Sequence, residues 1–338
     1  MGIWSGGKRA EASAAPMSDL VSRVRRKLIP AVPVPFDHRG AIDAAAQGAY
    51  AGWMARQPIG AVAVWAHTGR GLRLDDEQRH GVLSAWGAAM PDTPIICGVG
   101  VPHGVRLPGA SVKRTDRVIA HVARMAEAAK RGGAAAVMVH PPTPLRRLRG
   151  LEARVLELHG AVAEVGLPVI AFYLYEAAGG VAYAPDVVGR LLASPGVIGI
   201  KLATLDSVMT FQAVAAVARG IPGTLLITGE DRFLGYSLML GAESALIGLG
   251  AACTDVVAAL LDAWFARDAE RFFSLGERVD RFAAETFTAP MEGYVQRMLW
   301  ALEADGVLER GSRDPFAPRL PPGEHDRVVR AVRELRRL

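Results

Sequence analysis

PVIAFYLY (168–175) and VIGIK (197–201) are two short apolar runs separated by a longer interval. Each run is partly β-branched and is bounded by Gly or Pro, which is typical of a strand buried in a parallel sheet. Six further runs of this kind occur along the chain: LIPAVPVPF (28–36), AVAVW (61–65), TPIICGV (93–99), AAVMV (135–139), TLLIT (224–228) and ALIGL (245–249). The sequence therefore predicts eight strands.

Helical segments separate these runs. DRVIAHVARMAEAAKRGG (116–133), for example, has apolar residues at helical spacing and Gly at its end. Eight β/α units in succession predict an α/β fold, a closed (β/α)8 TIM barrel. The alternative is an open doubly wound sheet, which usually carries a Gly-rich phosphate fingerprint after its first strand. LIPAVPVPFDHRG (28–40) has no such fingerprint.

The chain is predicted to have four parts. Residues 1–26 form a flexible N-terminal tail that lacks the apolar region of a signal peptide, and residues 27–254 form the barrel. Residues 255–306 contain only helical patterns, and we interpret residues 255–312 as the last barrel helix and a C-terminal helical extension packed on the barrel. Residues 313–338 are predicted to be an irregular, Pro-rich and basic tail, in which RVVRAVRELRRL (327–338) could form one more helix.

The composition is that of a globular protein, with 51% hydrophobic and 22% charged residues in a chain of 338. No apolar run is long enough to cross a membrane. The net charge is +5, but the basic stretches RVRRK (23–27) and LRRLR (145–149) contain no interleaved aromatic residues, so no nucleic-acid partner is expected. Cys97 and Cys253 lie in apolar surroundings and are predicted to be buried thiols, which fits a cytoplasmic protein.

Lys201 ends the apolar strand GVIGIK (196–201), where desolvation of its ammonium group would be costly. A side chain at the C-terminal end of a barrel strand points into the mouth where active sites form. Burial lowers the pKa of a lysine, and the neutral amine is the form that attacks a carbonyl group. Lys201 is therefore a candidate nucleophile. The alternative is a lysine that extends its charged end to solvent at the strand terminus.

A tyrosine at the end of the preceding strand could be the acid–base partner of Lys201. Adjacent parallel strands end side by side, so Tyr173 could approach the lysine and exchange protons with its amine. Tyr175 lies on the same face as Tyr173 if the strand continues that far. The residues alone do not choose between the two tyrosines, and packing against the barrel top is the other role open to them.

Four segments match, in order, the pattern of one enzyme family: LIPAVPVPFDHRGAID (28–43), AHTGRGLRLDDEQR (66–79), GVIGIKLAT (196–204) and LLITGEDRFLGYSLMLGAESALIG (225–248). They are similar to its opening strand and turn, its Gly-[Ser/Thr]-Thr-Gly-Glu substrate loop, its lysine strand and the segment that follows. Over roughly residues 27–305 the chain resembles the dihydrodipicolinate synthase / N-acetylneuraminate lyase family of class I aldolases.

The resemblance implies that Lys201 forms a Schiff base with pyruvate or another 2-oxo acid. The catalytic tyrosine of the family lies 28 residues before its lysine, which selects Tyr173 as the proton carrier. The protonated imine withdraws electrons, so a carbon–carbon bond can form or break beside it, or water can leave. No metal or other cofactor is implied. The implied substrate contacts are His67, Thr68 and Gly69 in the substrate loop, and Gly229 and Ile247 in the segment after the lysine strand.

Several residues depart from the family pattern at the acceptor end of the site. His67 replaces the first hydroxyl of the substrate loop, and Arg70 replaces its glutamate. The Tyr-Asn-x-Pro segment of the synthase branch is YLYE (173–176) here, and Ala178 replaces the arginine that holds the second substrate. We infer that the Schiff-base half of the site is kept and that the acceptor half is rebuilt. The candidate second-substrate contacts are Tyr175, Glu176 and His140.

The predicted function is a Schiff-base-forming lyase, aldolase or dehydratase for a small 2-oxo acid, and the resemblance implies a homotetramer or homodimer. Three alternatives remain open. One is a non-catalytic barrel that binds a small ligand, and another is dihydrodipicolinate synthase proper, which Ala178 argues against. The third is a metal-dependent barrel enzyme that uses His67, His140, Glu230 and Asp231, although these residues form no HxH or HxxxH pair.

Overall fold

Each of the eight apolar runs contains one strand in the computed structural model, which describes residues 17–108, 111–205 and 207–337. The strands are β1 (Leu28–Pro30), β2 (Val62–Val64), β3 (Ile95–Val99), β4 (Ala136–Val139), β5 (Val169–Leu174), β6 (Val197–Ala203), β7 (Leu225–Thr228) and β8 (Ser244–Ile247). Consecutive strands from β2 to β8 pair in parallel, and β8 pairs with β1. A parallel bridge between Ala31 and Ala63 closes the ring between β1 and β2. The predicted TIM barrel is confirmed.

One helix follows each strand and covers the outside of the barrel. These helices are α2 (Ala44–Met54), α3 (Asp76–Ala89), α4 (Ser111–Arg131), α5 (Leu151–Ala163), α6 (Pro185–Leu192), α7 (Val208–Arg219), α8 (Leu234–Met239) and α9 (Thr254–Phe265). Local sequence sets several of their starts. At α3, the Asp75 side chain accepts a hydrogen bond from the Gln78 N–H, and the Gln78 side chain accepts one from the Asp75 N–H, which is a capping box.

Side chains alternate between the inside of the barrel and the layer of helices around it. On β5, Phe172 belongs to the inner apolar cluster, whereas Ala171 and Tyr173 belong to a cluster with residues of α6 and α7. This alternation decides which side chains of each strand can reach the mouth, because only inward-facing residues near the carboxyl ends of the strands line it.

Residues 17–24 form a helix, α1, at the N-terminal end of the barrel. Leu20 is 4% exposed and Val24 is fully buried, and both pack against the inner apolar cluster of the strands. The prediction of a flexible tail over 1–26 is therefore corrected for residues 17–24, since burial of these two side chains orders them. Residues 1–16 lie outside the described residues.

Three helices form the C-terminal extension: α10 (Ala269–Thr286), α11 (Tyr294–Ala304) and α12 (Glu324–Arg336). A fully buried guanidinium on Arg297 in α11 donates from Nε to the Glu324 carboxylate of α12 at 2.7 Å. The prediction of an irregular tail over 313–338 is therefore corrected for 324–336, which are helical. The basic residues of α12 are partly or fully exposed, while Val328, Val332 and Leu335 are buried.

Two general features of the described residues concern the helices and the cysteines. Within the part of the chain that the structure describes, no helix is both long and apolar enough to cross a membrane. Cys97 and Cys253 are buried and carry free thiols, as predicted.

Candidate active site

Lys201 lies on β6 with its side chain directed into the barrel. The residue is 7% exposed, and its Nζ lies 4.4 Å from the centroid of the Phe172 ring. Burial lowers the pKa of Lys201 to about 8, and the negative charges of Asp231 and Glu230 oppose this shift. About one-tenth of a lysine with such a pKa is the neutral amine at pH 7. This fraction of the side chain has the free electron pair that a nucleophile requires.

Gly229, just after β7, leaves the space that the lysine side chain occupies. A Cβ atom at this position would lie 2.5 Å from Lys201 Cε and 2.8 Å from the backbone oxygen of Leu202. Any larger residue would push the amine out of place. Gly229 also lines the cavity around Lys201, as the prediction of a substrate contact requires.

The cavity above Lys201 brings together five of the predicted site residues. Its lining includes Lys201, His67, Thr68, Tyr175 and Gly229. Ile247 does not reach it, because its side chain is fully buried in the outer core and its backbone oxygen bonds to Ala31 in the sheet. Gly69 lies in the substrate loop behind the lining, where a Cβ atom would come within 2.9 Å of the Val32 oxygen.

The two candidate second-substrate contacts His140 and Glu176 do not belong to the lining of this cavity. Glu176 is exposed, in a short 3-10 helix after β5. His140, after β4, packs edge-on against Phe172 and its Nε2 lies 3.3 Å from the Trp65 oxygen. Burial lowers the pKa of His140 to about 3, so its imidazole is neutral. It lines a second cavity that adjoins the first.

The structure does not bring the side chains of Tyr173 and Lys201 together. Phe172 pairs with Lys201 across β5 and β6, so these two residues share the inner face. Tyr173 therefore points outward, where its ring packs edge-on against Tyr183 at 5.7 Å. Tyr175, which follows the last residue of β5, packs against the inner cluster and lines the Lys201 cavity. The expected placement of Tyr173 is corrected, and Tyr175 is the tyrosine of this strand at the cavity.

Two acidic residues follow β7. Glu230 is fully buried and accepts hydrogen bonds from the Thr204 hydroxyl at 2.9 Å and the Leu205 N–H at 3.0 Å. It fixes the segment that follows the lysine strand. Asp231 accepts a hydrogen bond from the Leu249 N–H at 2.8 Å and lines the Lys201 cavity. Burial raises the pKa of both carboxyl groups to about 7.

The C-terminal extension contributes residues to the mouth that the sequence analysis missed. Glu292 lies in the 3-10 helix Met291–Gly293, and its Oε1 is 2.9 Å from His67 Nε2. The hydroxyl of Tyr294, at the start of α11, lies 3.1 Å from the Thr68 hydroxyl. Local sequence patterns could not predict these two contacts, because more than 220 residues separate each residue from its partner. One signal in the sequence was Arg70 in the substrate loop. If its side chain is buried, the charge requires acidic partners from elsewhere in the chain.

Arg70 is the residue that joins the substrate loop to the extension. Its side chain is 3% exposed and donates to Glu292 Oε2 at 2.6 Å and to Asp314 Oδ2 at 2.7 Å. These charge-assisted bonds fix the loop next to His67. The departure from the family at this position is thus explained by a partner in the C-terminal part of the chain.

The described residues contain no group of three or more His, Cys, Asp or Glu side chains that could hold a metal ion. His67, His140, Glu230 and Asp231, the set considered for a metal, thus do not form such a group. The arrangement instead offers a buried amine of lowered pKa together with hydroxyl, imidazole and carboxyl groups in one cavity. Such a set can form an imine with a carbonyl compound and move protons around it.

The chain was compared with known proteins. A sequence model of the dihydrodipicolinate synthetase family matches residues 25–333. The probable 4-hydroxy-2-oxoglutarate aldolase, mitochondrial, of Emericella nidulans is 26% identical over 66% of this chain and 69% of its own length. The 4-hydroxy-tetrahydrodipicolinate synthase of Xylella fastidiosa is 30% identical over 64% of this chain and 65% of its own length.

The fold is also similar to that of solved structures. The sialic acid aldolase of Ruminococcus gnavus has a TM-score of 0.75 and 17% sequence identity, over 93% of this chain and 97% of that one. The family match and the relatives support a lyase. The match to the family model extends over nearly the whole chain, and the chain belongs to the dihydrodipicolinate synthetase family.

Proposed function

We propose that the protein is a Schiff-base-forming lyase for pyruvate or another 2-oxo acid. It makes or breaks a carbon–carbon bond at the carbon adjacent to the keto group. The observation that carries this proposal is the buried amine of Lys201, with its lowered pKa, at the mouth of the barrel in a member of this family. Burial of an amine destabilises its charged form, and a non-catalytic barrel would gain nothing that offsets this cost.

In the proposed reaction, the neutral amine of Lys201 attacks the keto carbon, one proton is taken up from the solvent, and water leaves to give a protonated imine. When a bond at the adjacent carbon breaks, the imine accepts its electron pair and becomes an enamine. The Thr68 hydroxyl and the backbone N–H groups of the substrate loop hold the carboxylate. Thr68 lines the cavity, and its hydroxyl is bonded to Tyr294, which fixes its direction.

We assign the proton carrier of this reaction to Tyr175 rather than Tyr173. Tyr175 supports this role because it lines the cavity with Lys201, whereas the ring of Tyr173 packs in the helix layer against Tyr183. A phenol at Tyr175 can pass protons among the amine, the carbinolamine and the adjacent carbon of the substrate.

The acceptor side favours an aldolase-type reaction over the reaction of dihydrodipicolinate synthase itself. Ala178 lines both the Lys201 cavity and the adjoining cavity, so it leaves an open passage in place of a second-substrate arginine. A methyl group cannot replace the bidentate contacts of a guanidinium with a carboxylate. A single, longer 2-oxo acid that extends from Lys201 past Ala178 fits this arrangement.

The test is reductive trapping of the imine. The protein is incubated with pyruvate, reduced with borohydride and measured by intact mass and peptide mapping. The expected result is one covalent adduct on Lys201 that both Lys201→Ala and Lys201→Arg abolish, because a guanidinium stays protonated and forms no imine. Lys27→Ala is the matched control, since the Lys27 side chain is 44% exposed on the surface. No adduct, or an adduct on another lysine, contradicts the proposal.

A further inference from the structure

A histidine–carboxylate pair lies where the two cavities of the mouth meet. His67 and Glu292 line the cavity that holds Lys201, and they also line the adjoining cavity, which includes Arg73, His103 and His140. The pair is hydrogen bonded at 2.9 Å between His67 Nε2 and Glu292 Oε1. A 2-oxo acid bound to Lys201 that extends into the second cavity must pass this pair.

We propose that His67 is the acid–base residue for the hydroxyl group at the acceptor end of a 4-hydroxy-2-oxo acid, and that Glu292 positions its imidazole. The proposal rests on the proposed function and adds the substrate class to it. It also gives the C-terminal extension a part in the reaction, because Glu292 belongs to the segment that leads into α11.

The cleavage step proceeds from the imine between Lys201 and the substrate. The imidazole of His67 accepts the proton of the C4 hydroxyl, and the electron pair of that O–H bond forms the C4 carbonyl. The bond between C3 and C4 breaks, and its electron pair forms the enamine and neutralises the iminium nitrogen. An aldehyde leaves, the enamine is protonated at C3, and hydrolysis releases pyruvate. No oxidant, reductant or additional reactant is needed.

Contacts around the pair keep Glu292 ionised and the imidazole in a fixed plane. Hydrogen bonds from His67 and Arg70 lower the pKa of Glu292 to about 2, so the carboxylate is available to stabilise an imidazolium ion. The guanidinium of Arg70 holds Oε2 at 2.6 Å, which leaves Oε1 for His67. The ring of Tyr294 stacks on the imidazole at 6.1 Å between centroids.

The other titratable groups that face His67 do not offer the same chemistry. His140 is buried and held neutral, and it points its Nε2 at the Trp65 oxygen. His103 comes from the loop after β3, and no carboxylate is hydrogen bonded to it among the described residues. Burial and the positive charge of Arg73 lower the pKa of His103. His67 is thus the described histidine of this mouth that has a carboxylate partner.

The test separates imine formation from bond cleavage. Pyruvate trapping and cleavage of a racemic 4-hydroxy-2-oxo acid are measured in the wild type and in His67→Gln, with circular dichroism as the check on folding. We expect His67→Gln to form the trapped adduct, because pyruvate has no C4 hydroxyl. We expect cleavage to fall by roughly 10²- to 10⁴-fold, the usual contribution of an acid–base group. Added imidazole should restore part of the cleavage in His67→Gly.

A split between kcat and KM distinguishes positioning from a structural role. Glu292→Gln removes the carboxylate that orients the imidazole, so kcat for cleavage should fall while KM and the rate of pyruvate trapping stay close to the wild-type values, and Glu292→Asp should restore part of kcat. The matched control, His80→Gln, changes an exposed histidine of α3 and should keep the wild-type kcat. A wild type that traps no pyruvate overturns both the proposed function and this role. Trapping in all variants, with cleavage by His67→Gln within about threefold of the wild type, overturns the role of His67 alone.

Discussion

The buried amine of Lys201 makes a quantitative prediction about the pH dependence of imine formation. With a pKa of about 8, its neutral fraction is about 9% at pH 7, about 50% at pH 8 and about 91% at pH 9. The initial rate of trapping should therefore rise about fivefold between pH 7 and 8 and less than about twofold between pH 8 and 9. A lysine with the ordinary value of 10.5 would instead rise about tenfold at each of these steps.

The assay must keep the reduction step out of the pH dependence. Protein and pyruvate are mixed at each pH for a short, fixed time and then quenched into borohydride at one common pH, and the adduct is quantified by mass spectrometry. Asp231→Asn provides a second check, because loss of a charge that opposes the lowering of the Lys201 pKa should move the inflection to lower pH. A rate that still rises about tenfold between pH 8 and 9 refutes the assignment of a desolvated amine.

Three further predictions concern residues around the lysine and in the extension. Tyr175→Phe should lower turnover by roughly 10²- to 10⁴-fold, because it removes the proposed proton carrier. Tyr173→Phe, its matched control on the outer face, should change turnover little. The reverse ranking in steady-state kinetics would contradict the strand register. Gly229→Ala should slow pyruvate trapping by roughly 10²-fold, because its Cβ displaces the Lys201 side chain; trapping at the wild-type rate would contradict the close approach. Arg297→Met should lower the free energy of unfolding by about 3–5 kcal/mol in urea titrations, since Glu324 loses its buried partner, and an unchanged midpoint would count against that pair.

The barrel and its lysine were predictable because their signals are local. A strand buried on both faces must be apolar throughout, and a helix that packs on a sheet must repeat its apolar residues, so the β/α order can be read from periodicity. Lys201 is conspicuous for the same reason, as a charge at the end of an otherwise apolar strand. The helices α1 and α12 were harder to predict, because they are short or basic and are ordered by burial of a few side chains.

The choice between Tyr173 and Tyr175 depended on a detail that residue spacing does not contain. The pairing of β5 with β6 shifts its register between Val169 and Ile170, and beyond this shift Phe172 lies opposite Lys201. The number of residues between a β5 residue and its partner on β6 therefore differs before and after the shift. A displacement of one residue moves a side chain to the other face of a strand. The alternation that follows the shift places Tyr173 outside and leaves the inner face near the mouth to Phe172 and, beyond the strand, Tyr175.

The contact between His67 and Glu292 joins residues that are 225 positions apart, and this has a consequence for protein synthesis. When the substrate loop and Lys201 have emerged from a ribosome, the segment that completes the mouth has still to be translated. The buried partner of Arg297, Glu324, is made later still. A nascent or prematurely terminated chain thus carries Lys201 without the carboxylate that is hydrogen bonded to His67. The mouth described above is complete only when the C-terminal segment has docked on the barrel.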